Sequence, residues 1–159
     1  MKVGVLFPSR FEDPGEFLAD ARAMEAAGVD SVWMEDDGGR DPMLALAAIA
    51  AVTSQLCVGL ILPNSPAFET LSWRGFETLQ HLSRRRATIG VSQDGKVVTT
   101  MREWLRVEVP ADREAWAVTL AKAQPEFEGV LVPMDPRLLD ILRHPDEAID
   151  RSDLQLAQG

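Results

Sequence analysis

Short apolar runs alternate with segments of helical spacing over the first 91 residues. The apolar runs predict four buried strands, at residues 3–7, 29–34, 56–62 and 87–91. Each run is nearly free of polar residues, which is typical of parallel strands that are covered on both faces. The alternation therefore predicts successive parallel βα units joined by right-handed crossovers.

Three helices are predicted between these strands, at residues 14–27, 42–52 and 68–82. Pro14 suits the first turn of the first helix, and Gly28 suits its end. Asp41 precedes Pro42 and is the expected N-cap of the second helix, because its carboxylate can accept unpaired first-turn N–H groups.

The pattern changes after Val91. The turn sequence from Ser92 to Gly95 predicts an antiparallel hairpin that pairs residues 87–91 with residues 96–100. Further along we expect a strand at 105–109 with Arg106 on a solvated face, a helix at 112–123, a buried strand at 130–132 and a helix at 135–142. The chain is divided into one domain at residues 1–143 and a polar tail at residues 144–159.

Composition narrows the function classes. The formal net charge of −9 argues against a general nucleic-acid partner, since phosphate binding depends on clustered cations. The longest apolar run, residues 43–52, is too short to span a bilayer, and the first residues lack a signal-peptide pattern. Cys57 is the single cysteine, which excludes an intrachain disulfide. A cytoplasmic protein that uses neither membrane nor nucleic acid is expected.

The amino-acid sequence of residues 28–91 resembles the bacterial luciferase-like family of flavin- or deazaflavin-dependent oxidoreductases. The matching stretches are Gly-Val-Asp-Ser-Val-Trp-Met-Glu-Asp-Asp, the segment from Asp41 to Gly59, and the segment from Glu77 to Val91. The resemblance spans about residues 2–91 and resumes more weakly around residues 104–142. It implies monooxygenase or oxidoreductase activity with reduced FMN or F420 as cofactor.

The family builds a (β/α)8 barrel, which typically takes ~250 residues. With 159 residues, this chain is predicted to be an α/β protein with an incomplete TIM-barrel-like fold that lacks the middle of the barrel. Mainly parallel strands and one antiparallel hairpin are expected. An unfinished sheet exposes strand edges, so a homodimer that covers them is predicted.

The resemblance also implies where a ligand would bind. Barrels of this kind place their sites on the loops after the strands, and the family holds its cofactor there. The candidate cofactor contacts on these loops are Ser9, Asp36, Leu62, Asn64 and Ser92. No residue can be assigned as the catalytic acid or base, and no metal site is predicted because the acidic group at residues 35–37 supplies too few ligands.

Several positions depart from the family's pattern. Asp37 stands where a histidine is common, Ser83-Arg84-Arg85-Arg86 replaces Ser-Gly-Gly-Arg, and Gly90-Val91-Ser92 replaces Gly-Val-Gly. The family's phosphate cradle also draws on the part of the barrel that this chain lacks. Two hypotheses stay open: a luciferase-like oxidoreductase, intact or degenerate, and a non-catalytic homodimeric relative that binds a flavin, another ligand or a protein partner.

Ordinary structural roles compete with each functional interpretation. A solvated loop is favoured for residues 35–37, and a solvated turn or an inter-subunit salt bridge is favoured over a phosphate site for residues 84–86. Core or interface packing is favoured over flavin stacking for the four tryptophans. His81 and His144 have no neighbouring serine or cysteine pattern that implies nucleophilic catalysis.

Overall fold

Seven strands close into one barrel in chain order. The computed structural model describes residues 1–100 and 102–143, so the tail predicted at residues 144–159 lies outside the described residues. The strands are β1 (Lys2–Leu6), β2 (Ser31–Glu35), β3 (Cys57–Leu62), β4 (Ala87–Gln93), β5 (Lys96–Val98), β6 (Glu103–Arg106) and β7 (Gly129–Pro133).

Six helices in the described residues follow or flank these strands. They are α1 (Pro14–Ala26), α2 (Pro42–Val52), α3 (Ala67–Thr70), α4 (Trp73–Leu82), α5 (Arg113–Ala123) and α6 (Leu138–Arg143). The single helix predicted at residues 68–82 is divided in two, because Leu71 is extended and Ser72 caps a new helix through the N–H of Gly75. None of the described helices has the length and apolar character needed to cross a membrane.

The strand directions confirm the mainly parallel sheet with an antiparallel hairpin. Strands β1 to β4 pair in parallel with their neighbours, and β6 and β7 continue the parallel arrangement back to β1. Among the strands of the described residues, β5 alone runs the opposite way, pairing antiparallel with both β4 and β6. The turn before β5 uses positive φ at Asp94 (46°) and Gly95 (77°), the backbone that favours tight hairpins.

The prediction of an unfinished sheet was wrong, because the barrel is closed. Strand β5 brings the chain back from the end of the barrel where β4 finishes to the end where β6 begins. Strand β6 then pairs in parallel with β7. Strand β7 pairs with all of β1, from Lys2 opposite Gly129 to Leu6 opposite Pro133. A return of three residues inside the sheet needs no helix, so seven strands suffice for closure. The fold is therefore a seven-stranded mixed barrel rather than an incomplete (β/α)8 barrel.

A small hydrophobic cluster fills the lumen of the barrel, and it is separate from the larger core between the sheet and the helices. Its buried members are Trp33, Ile61, Val97, Trp104 and Leu131. Glycines on neighbouring strands make room for it: a Cβ atom at Gly90 would lie 2.3 Å from Val97, and one at Gly129 would lie 2.6 Å from Trp104. The narrow barrel thus accommodates two indoles because its facing strands carry no side chain at those positions.

Candidate functional site at the C-terminal mouth

An ion pair crosses the barrel where the parallel strands end. Arg106 on β6 donates from Nη2 to Glu35 Oε1 on β2 at 2.6 Å and to Ser92 Oγ on β4 at 3.3 Å. Strands β2 and β6 are not neighbours in the sheet, so the contact spans the lumen. We call this end of the barrel, where the parallel strands finish, the C-terminal mouth.

The guanidinium of Arg106 is only partly satisfied. Its side chain is 25% exposed and that of Glu35 is 37% exposed. The Nε atom of Arg106 is buried and has no hydrogen-bond partner within the described residues. Buried polar atoms almost always have a partner, so this nitrogen leaves hydrogen-bonding capacity unused at the mouth. The charge faces a single carboxylate there.

A second polar contact fixes the loops after β1 and β2. Ser9 Oγ donates to Asp37 Oδ2 at 2.9 Å, and the backbone N–H of Gly39 donates to Asp37 Oδ1 at 3.0 Å. These bonds, that from Ser9 first, lower the pKa of the Asp37 carboxyl below its ordinary value. Gly39 lies so close that a Cβ atom there would be 2.5 Å from Ser9 Oγ, which keeps the two loops together.

Glu35 from the first contact and both Ser9 and Asp37 from the second line one cavity of about 330 Å³. It is lined by residues from β1, β2, β7 and the loops that follow them: Leu6, Phe7, Pro8, Ser9, Arg10, Glu35, Asp37, Pro133 and Met134. This volume is at the lower end of the range for small-molecule sites, roughly 300–1,000 Å³. The cavity can accept a compact ring system beside a carboxylate and a cation.

The predicted site residues divide between the mouth and other places. Ser9 lines the cavity and Ser92 contacts Arg106. Asp36 is exposed, and its backbone N–H donates to the carbonyl of Ile61. Asn64 accepts the N–H of Ala67 through Oδ1 at 3.1 Å. Ser9 and Ser92 therefore take part in the polar contacts at the mouth, whereas Asp36 and Asn64 do not.

Leu62 belongs to the core between barrel and helices rather than to the mouth. Its side chain is 2% exposed and packs in the outer hydrophobic cluster, whereas its neighbour Ile61 belongs to the lumen cluster. Successive strand residues point to opposite faces, so only one of these two can face the lumen. Any contact between Leu62 and a ligand at the mouth would have to come from its backbone.

Sequence reasoning missed Arg106 as a site residue. The alternation around Arg106 predicts a strand at residues 105–109 with two unlike faces, whereas β6 covers Glu103–Arg106 and overlaps that range at two residues. Its polar face was assigned to solvent, however, and in the closed barrel that face is the lumen, where Arg106 meets Glu35. Arg106 stands two residues after the buried Trp104 and so shares its face of the strand, and a charged residue in that register is the signal that could have identified it.

The arginines at residues 84–86 lie at the opposite end of the barrel. The Arg86 guanidinium donates to the carbonyls of Ala50 (2.8 Å), Thr53 (3.1 Å) and Leu56 (2.5 Å), and so ties the end of α2 to the start of β3. The favoured interpretation, a solvated turn or an inter-subunit salt bridge, was therefore wrong for Arg86. Arg84 and Arg85 are exposed turn residues with φ of 53° and 63°.

Three of the helix N-termini, those of α1, α2 and α5, offer little to a phosphate group. Asp13, Asp41 and Asp112 cap α1, α2 and α5, and their carboxylates accept first-turn N–H groups. These N–H groups would otherwise be the usual donors to a phosphate, and a carboxylate beside them repels an anion. The residues at the mouth therefore fit the ring of a flavin-type cofactor better than its phosphate.

Comparison with known proteins places these features in context. A family model described as luciferase-like monooxygenase matches residues 1–115, from β1 into α5. No curated protein matches the chain significantly. Among solved structures, the long-chain alkane monooxygenase LadA is similar, with a TM-score of 0.48 and 13% identity. The similarity covers 78% of this chain and 37% of LadA, so the chain spans well under half the length of that enzyme.

Proposed function

Because the chain belongs to the luciferase-like monooxygenase family, we propose that it is an oxidoreductase that binds reduced FMN or F420 at the C-terminal mouth of its barrel. The ring would lie in the cavity beside Glu35 and Arg106, with Ser9 and Ser92 at its edges. The location agrees with the general rule that α/β barrels place their sites on the loops that follow the strands.

The observation that carries this proposal is the half-buried guanidinium of Arg106. Flavin-type rings become electron-rich on reduction, and proteins tune them through charges placed near the ring nitrogens. A cation held by Glu35 and Ser92, with its Nε unpaired, suits that role. Partial burial strengthens the interaction, because the surrounding dielectric is lower than that of water.

A bound reduced cofactor would supply electrons for transfer to oxygen or to an organic substrate. The chain's own residues would bind and orient the ring. The lumen cluster beneath it, which includes Ile61 and Trp33, would exclude water from its lower face. The Ser9–Asp37 contact would hold the neighbouring loops in place while the ring enters.

Fluorescence titration with FMN and with riboflavin tests this proposal. Since aspartate caps occupy first-turn N–H groups of α1, α2 and α5, the phosphate of FMN should add little to binding, and the two flavins should saturate the protein with dissociation constants within about threefold of each other, a difference of under about 1 kcal/mol. Arg106→Gln should weaken binding by about tenfold or more, the usual effect of losing a charged hydrogen bond. Arg102→Gln, at the opposite end of the barrel, should leave binding unchanged.

Removal of Arg106 also leaves Glu35 without its cation, so the fold of the variant needs its own measurement. Thermal unfolding of Arg106→Gln and of the double variant Glu35→Gln/Arg106→Gln separates loss of binding from loss of structure. Folded variants that still bind flavin as wild type would contradict the role of Arg106. Absence of binding of both FMN and F420 to the wild-type protein at high micromolar cofactor would contradict the proposal as a whole.

A second candidate function is a non-catalytic homodimeric relative, and one surface favours it. The outer face of β4 and β5 has no crossover helix, because a hairpin joins these strands. A groove of about 480 Å³ runs there beside Phe68, Trp73 and Phe76. Trp73 is 51% exposed and lies between the two phenylalanines. Exposed aromatic patches of this kind often mark interfaces.

We therefore propose that a second copy of the chain covers this groove, even though the closed sheet removes the original reason for expecting a dimer. Light scattering at several concentrations should give a dimer for the wild-type protein, and Trp73→Glu should give a monomer. Leu44→Glu is the matched control, since Leu44 is 72% exposed on α2 away from the groove. A monomeric wild-type protein at high micromolar concentration would contradict this second function.

A further inference from the structure

The opposite end of the barrel, the N-terminal mouth, opens into a larger cavity of about 580 Å³. It is lined by residues at the starts of the parallel strands and the loops before them, including Lys2, Ser31, Trp33, Cys57, Arg85 and Trp104. Its volume falls well within the range of small-molecule sites, roughly 300–1,000 Å³. In α/β barrels this end usually serves stability alone, so a cavity here is unexpected.

Two indoles form the inner wall of this cavity. The rings of Trp33 and Trp104 meet edge to face, with centroids 5.4 Å apart and an interplanar angle of 60°. The indole N–H of Trp33 donates to Ser31 Oγ at 2.8 Å, so it needs no further acceptor. Both rings are held rigidly by the lumen cluster, at 1% and 6% exposure. Only a small part of either ring therefore reaches the cavity, and that part suits the face of a flat aromatic ligand.

The carboxylates at the rim already have partners. Glu128 accepts hydrogen bonds from Lys2, at 2.6 Å, and from Arg102. Glu25 accepts three backbone N–H groups, those of residues 54, 55 and 56. Asp30 accepts the backbone N–H of Val3. Each of these carboxylates therefore already accepts hydrogen bonds, and the Glu128 charge is paired with two cations.

Arg85 supplies a cation that no other residue described by the structure pairs with. Its side chain lines the cavity and is exposed, and within the described ranges its guanidinium makes no hydrogen bond or ion pair. In a protein with a net charge of −9, an uncompensated guanidinium beside an aromatic cavity is distinctive. Guanidinium groups bind planar carboxylates through two parallel hydrogen bonds.

We propose that the N-terminal mouth is a second binding site, which takes a small planar aromatic carboxylate. The ring would pack against the indoles of Trp33 and Trp104, and the carboxylate would pair with Arg85. The lumen cluster separates this site from the C-terminal mouth, so the two would bind their ligands independently. The proposal consequently stands whether or not the protein uses a flavin.

Calorimetric titration with 2-naphthoate and with its uncharged counterpart 2-naphthamide tests both parts of the recognition. Naphthoate should bind saturably, and naphthamide should bind about tenfold more weakly or worse because it loses the charged hydrogen bonds. Arg85→Glu should weaken naphthoate binding by at least about tenfold for the same reason. Arg84→Glu is the matched control: it makes the same charge change one residue away, outside the cavity lining, and should bind as wild type.

Cys57 gives an independent readout of location. It is the single cysteine of the chain, it is exposed, and it lines this cavity. Naphthoate should slow alkylation of the thiol by N-ethylmaleimide, whereas FMN should not, and the alkylated protein should no longer bind naphthoate. Absence of naphthoate binding at millimolar concentration, equal weakening by Arg85→Glu and Arg84→Glu, or an unchanged alkylation rate would each overturn the proposal.

Discussion

The indole of Trp33 occupies the space that a side chain at Gly59 would need. A Cβ atom built on Gly59 falls 2.2 Å from two carbons of that ring, well inside van der Waals contact. The two residues face each other on neighbouring strands, since Trp33 of β2 pairs with Gly59 of β3. The large indole of Trp33 therefore fits because Gly59 has no side chain, and the lumen has no room for an additional methyl group at this level.

Gly59→Ala should accordingly destabilise the protein. The added methyl group must displace a fully buried indole, and overpacking of this kind typically costs about 1–3 kcal/mol. Urea unfolding followed by tryptophan fluorescence measures the loss. Gly75→Ala is the control: its nearest neighbour is the flexible end of Met43 at 3.1 Å, and alanine favours the helix by up to about 1 kcal/mol. Equal losses in the two variants would refute the match between Trp33 and Gly59.

Arg86→Met should also destabilise the protein, by about 2–4 kcal/mol, because four backbone carbonyls lose a charged donor. Methionine keeps much of the apolar stem, so the loss reports on hydrogen bonding more than on packing. Arg84→Met replaces an exposed neighbour and should change the free energy of unfolding by no more than about 0.5 kcal/mol. Chemical denaturation of both variants makes the comparison, and similar losses would exclude the proposed tie between α2 and β3.

Glu25 should make stability depend on pH. Burial raises the pKa of its carboxyl, but the backbone N–H groups of Gln55, Leu56 and Ser54, helped by the charge of Arg86, outweigh burial and leave the pKa below its ordinary value of 4.5. A group with a lowered folded-state pKa contributes stability above its unfolded-state pKa and loses it as the pH falls through the folded-state value.

Glu25→Gln should therefore lower the free energy of unfolding by about 1 kcal/mol at pH 7. The difference from wild type should shrink as the pH drops below 4.5. Urea unfolding at pH 7 and at successively lower pH follows this change. Glu77→Gln, at an exposed position on α4, should behave as wild type throughout. A difference for Glu25→Gln that stays constant with pH would contradict the role of its charge.

Local patterns were sufficient to predict most of the elements. The strand predicted at residues 3–7 is Lys2–Leu6, and the helix predicted at residues 42–52 begins and ends at those residues, with Asp41 as its N-cap. Apolar spacing and capping chemistry act within a few residues, so they can be read directly. The division of the helix at Ser72 escaped notice because one serine cap interrupts an otherwise continuous pattern.

Closure of the barrel could not be predicted in the same way. It depends on the pairing of β1 with β7, whose partners Gly4 and Leu131 are far apart in the chain, and no local signal says which strands will meet. The same lack of a local signal prevented the sequence from identifying Arg106 as a residue of the site. Without closure, Arg106 belongs to a solvated face, and with closure it reaches Glu35 across the lumen.

Strand β5 has a consequence for how such scaffolds can change in length. In a βα repeat, a helix carries the chain back outside the wall, so deletion of whole repeats leaves a gap. Here the antiparallel strand β5 brings the chain back within the sheet and is itself one of the strands of the barrel. A barrel with fewer βα repeats can therefore still close, provided that one antiparallel strand joins its two edges and that large aromatic side chains fill its narrower lumen. Protein designers could use one antiparallel strand in place of several βα repeats to make small closed barrels from larger ones.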